Sequence, residues 1–414
     1  STPKPSSAAS DVYKRQVEME PEKPLHSQQH YLPTRPCTEP DFLLSRATGS
    51  VRTQGIKETF SSVAEAREAL ASGRADMIVG ALPFTPNAPA ALISPKHVIR
   101  SDAPLEPPAF FRGQEMRARI VDFSPTASEH RRRVEQAVAA IRRGVAEKIV
   151  LARAVDVIAD ETLDPQLIAA RLLDGSPRQE AYLADLSPAG TDYEGHWLVG
   201  SSPELLISRR GAEISSHPLA GSRPRCSDRQ RDAQSARDLR TSTKDSAEHR
   251  YVTQALEEAL RPLCSRLDVP ATPSLTSTKE MWHLGTHITG TLAAHAENRD
   301  ATQTHELPTA LDLAELLHPT PAVGGWPRRE ALTFISDAGE NRRFYAGTVG
   351  WCDAAGDGDW VVAIRCAELD PAHNSATAWA GGGIVADSCP SAEVQETRDK
   401  LQTILRALGI VDSL

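Results

Sequence analysis

Residues 317–325 read Leu317-His318-Pro319-Thr320-Pro321-Ala322-Val323-Gly324-Gly325. Two prolines fix the backbone and remove hydrogen-bond donors, and a glycine pair follows, so neither a helix nor a central strand suits the stretch. It reads as a shaped loop, and shaped loops on rigid scaffolds often carry binding sites. Downstream come Tyr345-Ala346-Gly347 and then the apolar run Trp360-Val361-Val362-Ala363-Ile364-Arg365-Cys366-Ala367-Glu368.

Bulk properties narrow the function. The chain has 414 residues, 40% of them hydrophobic, enough to bury a large core. The net charge is −9 and no dense basic stripe occurs, which argues against nucleic acid as a partner. The run Arg131-Arg132-Arg133 falls on an expected helix and reads as its solvated face. No apolar run approaches the ~20 residues that span a bilayer, and the N-terminus lacks the apolar stretch of a signal peptide, so no membrane partner and a cytoplasmic location are expected. The six cysteines form no CxxC pair and read as reduced structural thiols, without a zinc site.

Residues 1–40, rich in Ser, Pro and charge, are expected to be a disordered tail ahead of a single domain over 41–414. Residues 75–82 read as a buried strand closed by Pro83, and 85–120 as Pro-rich loop. Val134, Val138, Ile141 and Val145 recur at helical spacing, which predicts a helix over 127–143 ended by Gly144, then a strand at 149–152 with Lys148 at its mouth. A helix at 164–174 precedes strands at 181–186, 196–200, 204–208 and 213–217, with Arg210-Gly211 as a hairpin turn. Residues 223–243 read as a polar loop, 244–261 as a helix, 284–290 as a strand and 308–316 as a helix. Strands at 344–351, 360–367 and 377–385 suggest an antiparallel meander, closed by a helix at 391–408. Strands in runs with helices between them argue for an α+β fold, a large two-layered α/β sandwich of mainly antiparallel sheets with flanking helices.

Several residues could carry chemistry. On the 244–261 helix Glu248 shares a face with Val252 and Ala255, and Asp245 lies one turn earlier. A carboxylate on a core-facing stripe must be paired, protonated or bound to a cation. Glu393, Glu396 and Lys400 share one side of the closing helix. Two inward carboxylate pairs could form an oxygen-rich Mg²⁺ site, or they could be surface ion pairs. Glu204 opens a strand after a Ser-Pro turn, as an edge-strand carboxylate or a general acid. Lys148 is either an exposed strand-end lysine or a desolvated base. Gly381-Gly382-Gly383 either lets backbone amides approach an anion or marks a bulge. Arg365 lies in the apolar strand 361–366, facing opposite to Ile364 and Cys366, and calls for an anionic partner. His283 reads as a satisfied core histidine or a site residue.

Taken in order, Lys148-Ile-Val-Leu-Ala-Arg153, Gly200-Ser-Ser-Pro-Glu204, Pro218-Leu-Ala-Gly-Ser222, Lys244-Asp-Ser-Ala-Glu-His249, Trp282-His-Leu-Gly-Thr286, the 317–325 loop, Tyr345-Ala-Gly347, Ile364-Arg-Cys-Ala-Glu368, Gly381-Gly-Gly-Ile384 and Glu393-Val-Gln-Glu-Thr397 resemble the successive motifs of the chorismate-utilising enzymes, most closely the isochorismate synthases. The resemblance covers roughly 120–410. It implies a Mg²⁺-dependent enzyme that acts on chorismate, as a monomer without an obligatory amidotransferase subunit, in siderophore or menaquinone synthesis. Position by position, Lys148 resembles the base that activates water and Glu204 the acid that protonates the departing hydroxyl. Glu248 and Glu396 resemble the metal ligands, with Asp245 and Glu393 in support. Arg365, Tyr345 and the backbone of Gly381, Gly382 and Gly383 would hold the enolpyruvyl carboxylate. Gly221, Ser222, His283, Ala322 and Lys400 resemble further substrate contacts.

Within that family, Ala220 stands where aminodeoxychorismate synthases carry a nucleophilic lysine, and Ala322 where salicylate synthases carry a threonine-containing variant. A lysine at 148 suits water rather than ammonia as nucleophile. The sequence departs from the family's pattern at Gly382, at His287 and at Asp337-Ala-Gly-Glu-Asn341, where the geometry of one loop is put in question.

Overall fold

A computed structural model of the chain describes residues 40–112, 114–293 and 307–410. The tail expected over residues 1–40 lies, but for Pro40, outside the described residues.

The sheet is a chain of antiparallel neighbours. It runs from Ala118–Ser124 and Lys148–Ala159 through Ser375–Ile384, Cys366–Asp370, Trp197–Gly200, Ala181–Asp185 and Phe42–Arg46 to Gly49–Phe60. From there Ala91–Ser101 and Met77–Leu82 lead into Thr348–Asp353, Gly358–Val362, Leu205–Arg210, Glu213–His217, Ile288–Leu292 and Cys264–Asp268. A second, three-stranded sheet joins Leu219–Pro224, Met281–Gly285 and Ser274–Ser277. The α+β reading holds: mostly antiparallel sheet with helices on its flanks.

Alternation along the strands makes two cores. Tyr182 and Ala184 face a core shared with Ile149, Leu151, Ile207, Val349 and Trp360, whereas Ala181 and Leu183 face the helices Pro165–Gly175 and Pro390–Ala407 through Val199, Leu369 and Leu401. The helix Ala127–Arg142 starts at a capping box, Thr126 with Glu129, and buries Val134, Val138 and Ile141 as their spacing requires. Val145 lies past its end and is exposed.

Four expectations are corrected. Residues 91–101 form a strand rather than loop, because Pro95 sits at the irregularity in its pairing with Gly49–Phe60, where a missing N–H costs no ladder bond. Residues 229–241 form a helix rather than a loop, started by the Asp228 side chain accepting from the Arg231 amide. The expected strand 284–290 is two strands broken at Thr286-His287, one in each sheet. The 360–367 run also breaks: Gly358–Val362 pairs with Leu205–Arg210, Cys366–Asp370 pairs with Trp197–Gly200, and Arg365 between them takes φ +53°. Arg365 therefore belongs to a left-handed turn and not to a strand, so period-2 alternation does not set its direction.

Candidate active site

Lys148, the first residue of its strand, is fully buried, with Nζ 3.0 Å from Glu248 Oε1. The pair is out of line for a hydrogen bond, and Nζ has no other partner among the described residues. The 317–325 loop reaches this strand directly. Gly325–Trp326 pairs antiparallel with Ile149 and Lys148, and the Val150 amide donates to Gly324 O at 3.0 Å. Gly325 has φ +134°, and a side-chain carbon there would lie 2.3 Å from Lys148 O, so only glycine lets the loop close on the lysine. His318 anchors the loop's start, its Nε2 3.1 Å from Pro83 O.

The loop that departs from the family's pattern braces the same strand. Arg342 is buried, paired at 2.6 Å with Glu340, and donates to Val323 O and Val150 O, while Glu340 accepts from the Ala152 amide. Sequence reasoning missed this brace, because nothing in Glu340-Asn341-Arg342 announces burial.

A cavity of about 60 Å³ is lined by Glu204, Gly221, Ser222, Glu248, His283, Ala322, Tyr345, Arg365, Gly381, Gly383, Glu396 and Lys400. Lys148, Glu393 and Gly382 stand directly behind it. A carbon added at Gly383 would lie 2.1 Å from Glu248 Oε1 and 2.8 Å from Lys148 Cε; one at Gly382 would lie 3.1 Å from Glu393 Oε2. Asp245 touches its edge, 2.9 Å from a carbon added at Gly221, which has φ +79°. Pro203, Leu219, Val323 and Ile364 also line the cavity and carry no signal in sequence beyond their neighbours.

Of the two readings of the glycine run, the bulge is excluded. The run pairs in unbroken register with Val150–Ala152. Its lack of side chains makes room for the carboxylates and Lys148 to stand over the strand. Tyr345 stacks on Trp379, and Lys400 donates to Gly381 O at 2.9 Å.

Charge in the cavity is arranged unevenly. Glu204 is buried, and its carboxyl is pushed up to about 7 by desolvation, against a backbone hydrogen bond from Leu219 and the fields of Lys148 and Arg365. It therefore holds its proton well above the usual carboxylate range. Arg365 is buried and, among the described residues, has no side-chain hydrogen bond or ion pair. The anionic partner expected of it is not supplied by the described residues. His283 is buried with Nε2 unpartnered among the described residues, and burial holds it well below its ordinary value, so the ring is neutral.

The helix carboxylates are already engaged. Glu393 is 3.0 Å from Lys244, and Glu396 is 2.5 Å from Lys400 and accepts from Ser222 Oγ at 3.0 Å. Among the described residues no three His, Cys, Asp or Glu side chains already stand in a metal-ligating group. Two observations fit a divalent cation here. Glu393 Oε2 is buried with no hydrogen-bond partner among the described residues, and burial, then the neighbouring Glu396, raises its carboxyl to about 7. Burial pushes Glu396 the same way, but Lys400, together with Lys244 and Ser222, more than reverses it. Crowded carboxylates with an orphaned oxygen are the donor set a hard cation takes.

The sequence profile described as "Chorismate binding enzyme" matches residues 110–409. The chain is 43% identical over 374 residues to a putative isochorismate synthase MenF of Mycobacterium tuberculosis, covering 90% of this chain and 97% of that one. It is 40% identical over 368 residues to the isochorismate synthase DhbC of Bacillus subtilis, covering 86% and 87%. Among solved structures it resembles a putative 2,3-dihydroxybenzoate-specific isochorismate synthase, DhbC, of Bacillus anthracis, with TM-score 0.79, 34% identity and coverage of 90% and 96%. The chain belongs to the chorismate binding enzyme family.

Proposed function

We propose that this protein is an isochorismate synthase, adding water at C2 of chorismate and releasing the C4 hydroxyl. The observation that carries the reading is the meeting of a buried lysine, a buried carboxyl that keeps its proton near neutrality and an arginine without a partner among the described residues around one cavity. The names of the relatives support it.

In this reading Lys148 takes a proton from the water that attacks C2, and Glu204 gives its proton to the C4 oxygen, which leaves as water while both ring double bonds shift, C1=C2 to C1=C6 and C5=C6 to C4=C5. One water enters and one leaves, so substrate and product are isomers. A base and an acid are both required, and burial equips Glu204 for the second role. Arg365, Tyr345 and the Gly381–Gly383 strand hold the enolpyruvyl carboxylate, and Gly221, Ser222, His283, Ala322 and Lys400 shape the remaining contacts. Glu248 and Glu396 would hold Mg²⁺, with Asp245 and Glu393 in support; when bound, the ion supplies the positive charge that neutralises and orients the ring carboxylate. Ala220 offers no nucleophile for a covalent intermediate. Because water is the nucleophile, no ammonia-delivering subunit is needed.

The test is chromatography of products after incubation with chorismate, with Mg²⁺ and with chelator. Isochorismate formed only with the metal is expected. Salicylate with pyruvate, or no product, overturns the reading.

A further inference from the structure

The turn that aims Arg365 is held from behind by residues that the reaction does not use. Tyr182, Gly200 and Cys366 lie in one row across three neighbouring strands, since Tyr182 pairs with Gly200 and Gly200 pairs with Cys366. At Gly200 the row has no side chain. The Tyr182 ring, 1% exposed, fills that gap, and its hydroxyl donates to Ile364 O at 3.0 Å. A carbon added at Gly200 would lie 2.3 Å from the Tyr182 hydroxyl oxygen and 2.6 Å from Cys366 Cβ. Gly200 is thus the opening through which a tyrosine on one strand reaches a turn two strands away.

That turn is strained. Arg365 has φ +53°, a conformation that non-glycine residues rarely adopt and that persists only where the surroundings impose it. Few bonds impose it here. The Ser201 amide donates to Arg365 O, the Ile364 amide donates to Val362 O, and Ala363 exchanges bonds with Ala346 and Gly347. The Tyr182 hydroxyl is the side-chain tether on the peptide immediately before Arg365. Were the turn to relax into extended backbone, the guanidinium would leave the cavity.

We propose that Tyr182, admitted by Gly200, is a positioning residue for substrate binding: its phenol pins the Ile364 carbonyl and so holds the left-handed turn that points Arg365 at the substrate carboxylate. The inference rests on the reading of Arg365 as the carboxylate's partner. It assigns Tyr182 no contact with chorismate.

Steady-state kinetics with chorismate on Tyr182→Phe, Arg365→Lys and the double variant test it, with thermal unfolding recorded for each. Tyr182→Phe is expected to raise KM about tenfold, the size of one neutral hydrogen bond, with kcat within about twofold. In the Arg365→Lys background, already much impaired, Tyr182→Phe should add nothing, because there is no longer a guanidinium to aim. If Arg365→Lys is impaired but Tyr182→Phe keeps the parent KM, the inference fails and the reading of Arg365 stands. If Tyr182→Phe lowers kcat and thermal stability without a selective rise in KM, or its effect adds fully to that of Arg365→Lys, the tyrosine is only a core residue and the inference fails. If Arg365→Lys itself leaves KM unchanged, the reading of Arg365 falls, and the inference with it.

Discussion

The strands and the helices around the cavity balance their charges in different ways. On the strands and their turns, Arg365 has no ion-pair partner among the described residues, Glu204 carries a proton in place of a counter-ion, and Lys148 meets only Glu248 from across the cavity. On the helices Thr243–Leu260 and Pro390–Ala407, Glu393 and Glu396 each have a lysine within 3.0 Å. The strand side cannot neutralise itself, so it is built for a ligand that brings charge and protons. On the helix side two of the carboxylates already hold lysines, so a cation that binds there competes with Lys244 and Lys400. Buried charge without compensation is costly, which makes the strand side the stronger sign of function.

If the strand side does the chemistry, its substitutions cost the most. Lys148→Ala is expected to lower kcat by about 10³-fold or more while circular dichroism shows the fold retained; near-normal turnover would remove Lys148 from the mechanism. Glu204→Gln should lower kcat by about 10²-fold or more. The same variant sharpens the comparison through stability. The carboxyl's value in the folded protein, about 7, lies above its ordinary 4.5, so the folded state binds the proton more tightly and stability declines as pH rises through that window. The full cost, up to about 3 kcal/mol, is present above pH about 7, and Gln removes it. Denaturant unfolding at pH 8 should therefore find Glu204→Gln more stable than the parent, and close to it at pH 4.

Two smaller effects separate the sides further. The parent enzyme's kcat/KM should fall as pH rises above about 7, as the acid loses its proton, and a pH profile without an alkaline limb in that range would deny Glu204 the role. Glu396→Gln should weaken the Mg²⁺ requirement's half-saturation by about tenfold and leave residual turnover at saturating metal. An unchanged metal titration would show that the helix carboxylates serve only their lysines.

Much of this was legible in the sequence, and the reasons differ by region. Val134, Val138 and Ile141 announce their helix because one amphipathic face packs on one sheet. The cavity residues were found through their order along the chain; spacing alone left Glu204, Lys148 and the glycine run ambiguous. What stayed hidden depends on distant partners. The helix Arg229–Thr241 buries only Leu239, so no apolar period marks it. It is tied down by Asp232, which accepts from Arg225 Nε and from Trp282 Nε1, both at 2.9 Å. Pro95 reads as loop until its irregular pairing is seen, and an apolar run such as 360–367 gives no hint that a left-handed turn divides it.

The most direct test of the account is a reaction run for a few turnovers in ¹⁸O-labelled water, with mass spectrometry of the product. Water activated at Lys148 and a hydroxyl expelled through Glu204 predict isochorismate with one labelled oxygen, at C2. Unlabelled isochorismate would mean that the C4 hydroxyl migrates without leaving, and would contradict the division of labour between base and acid on which the account depends.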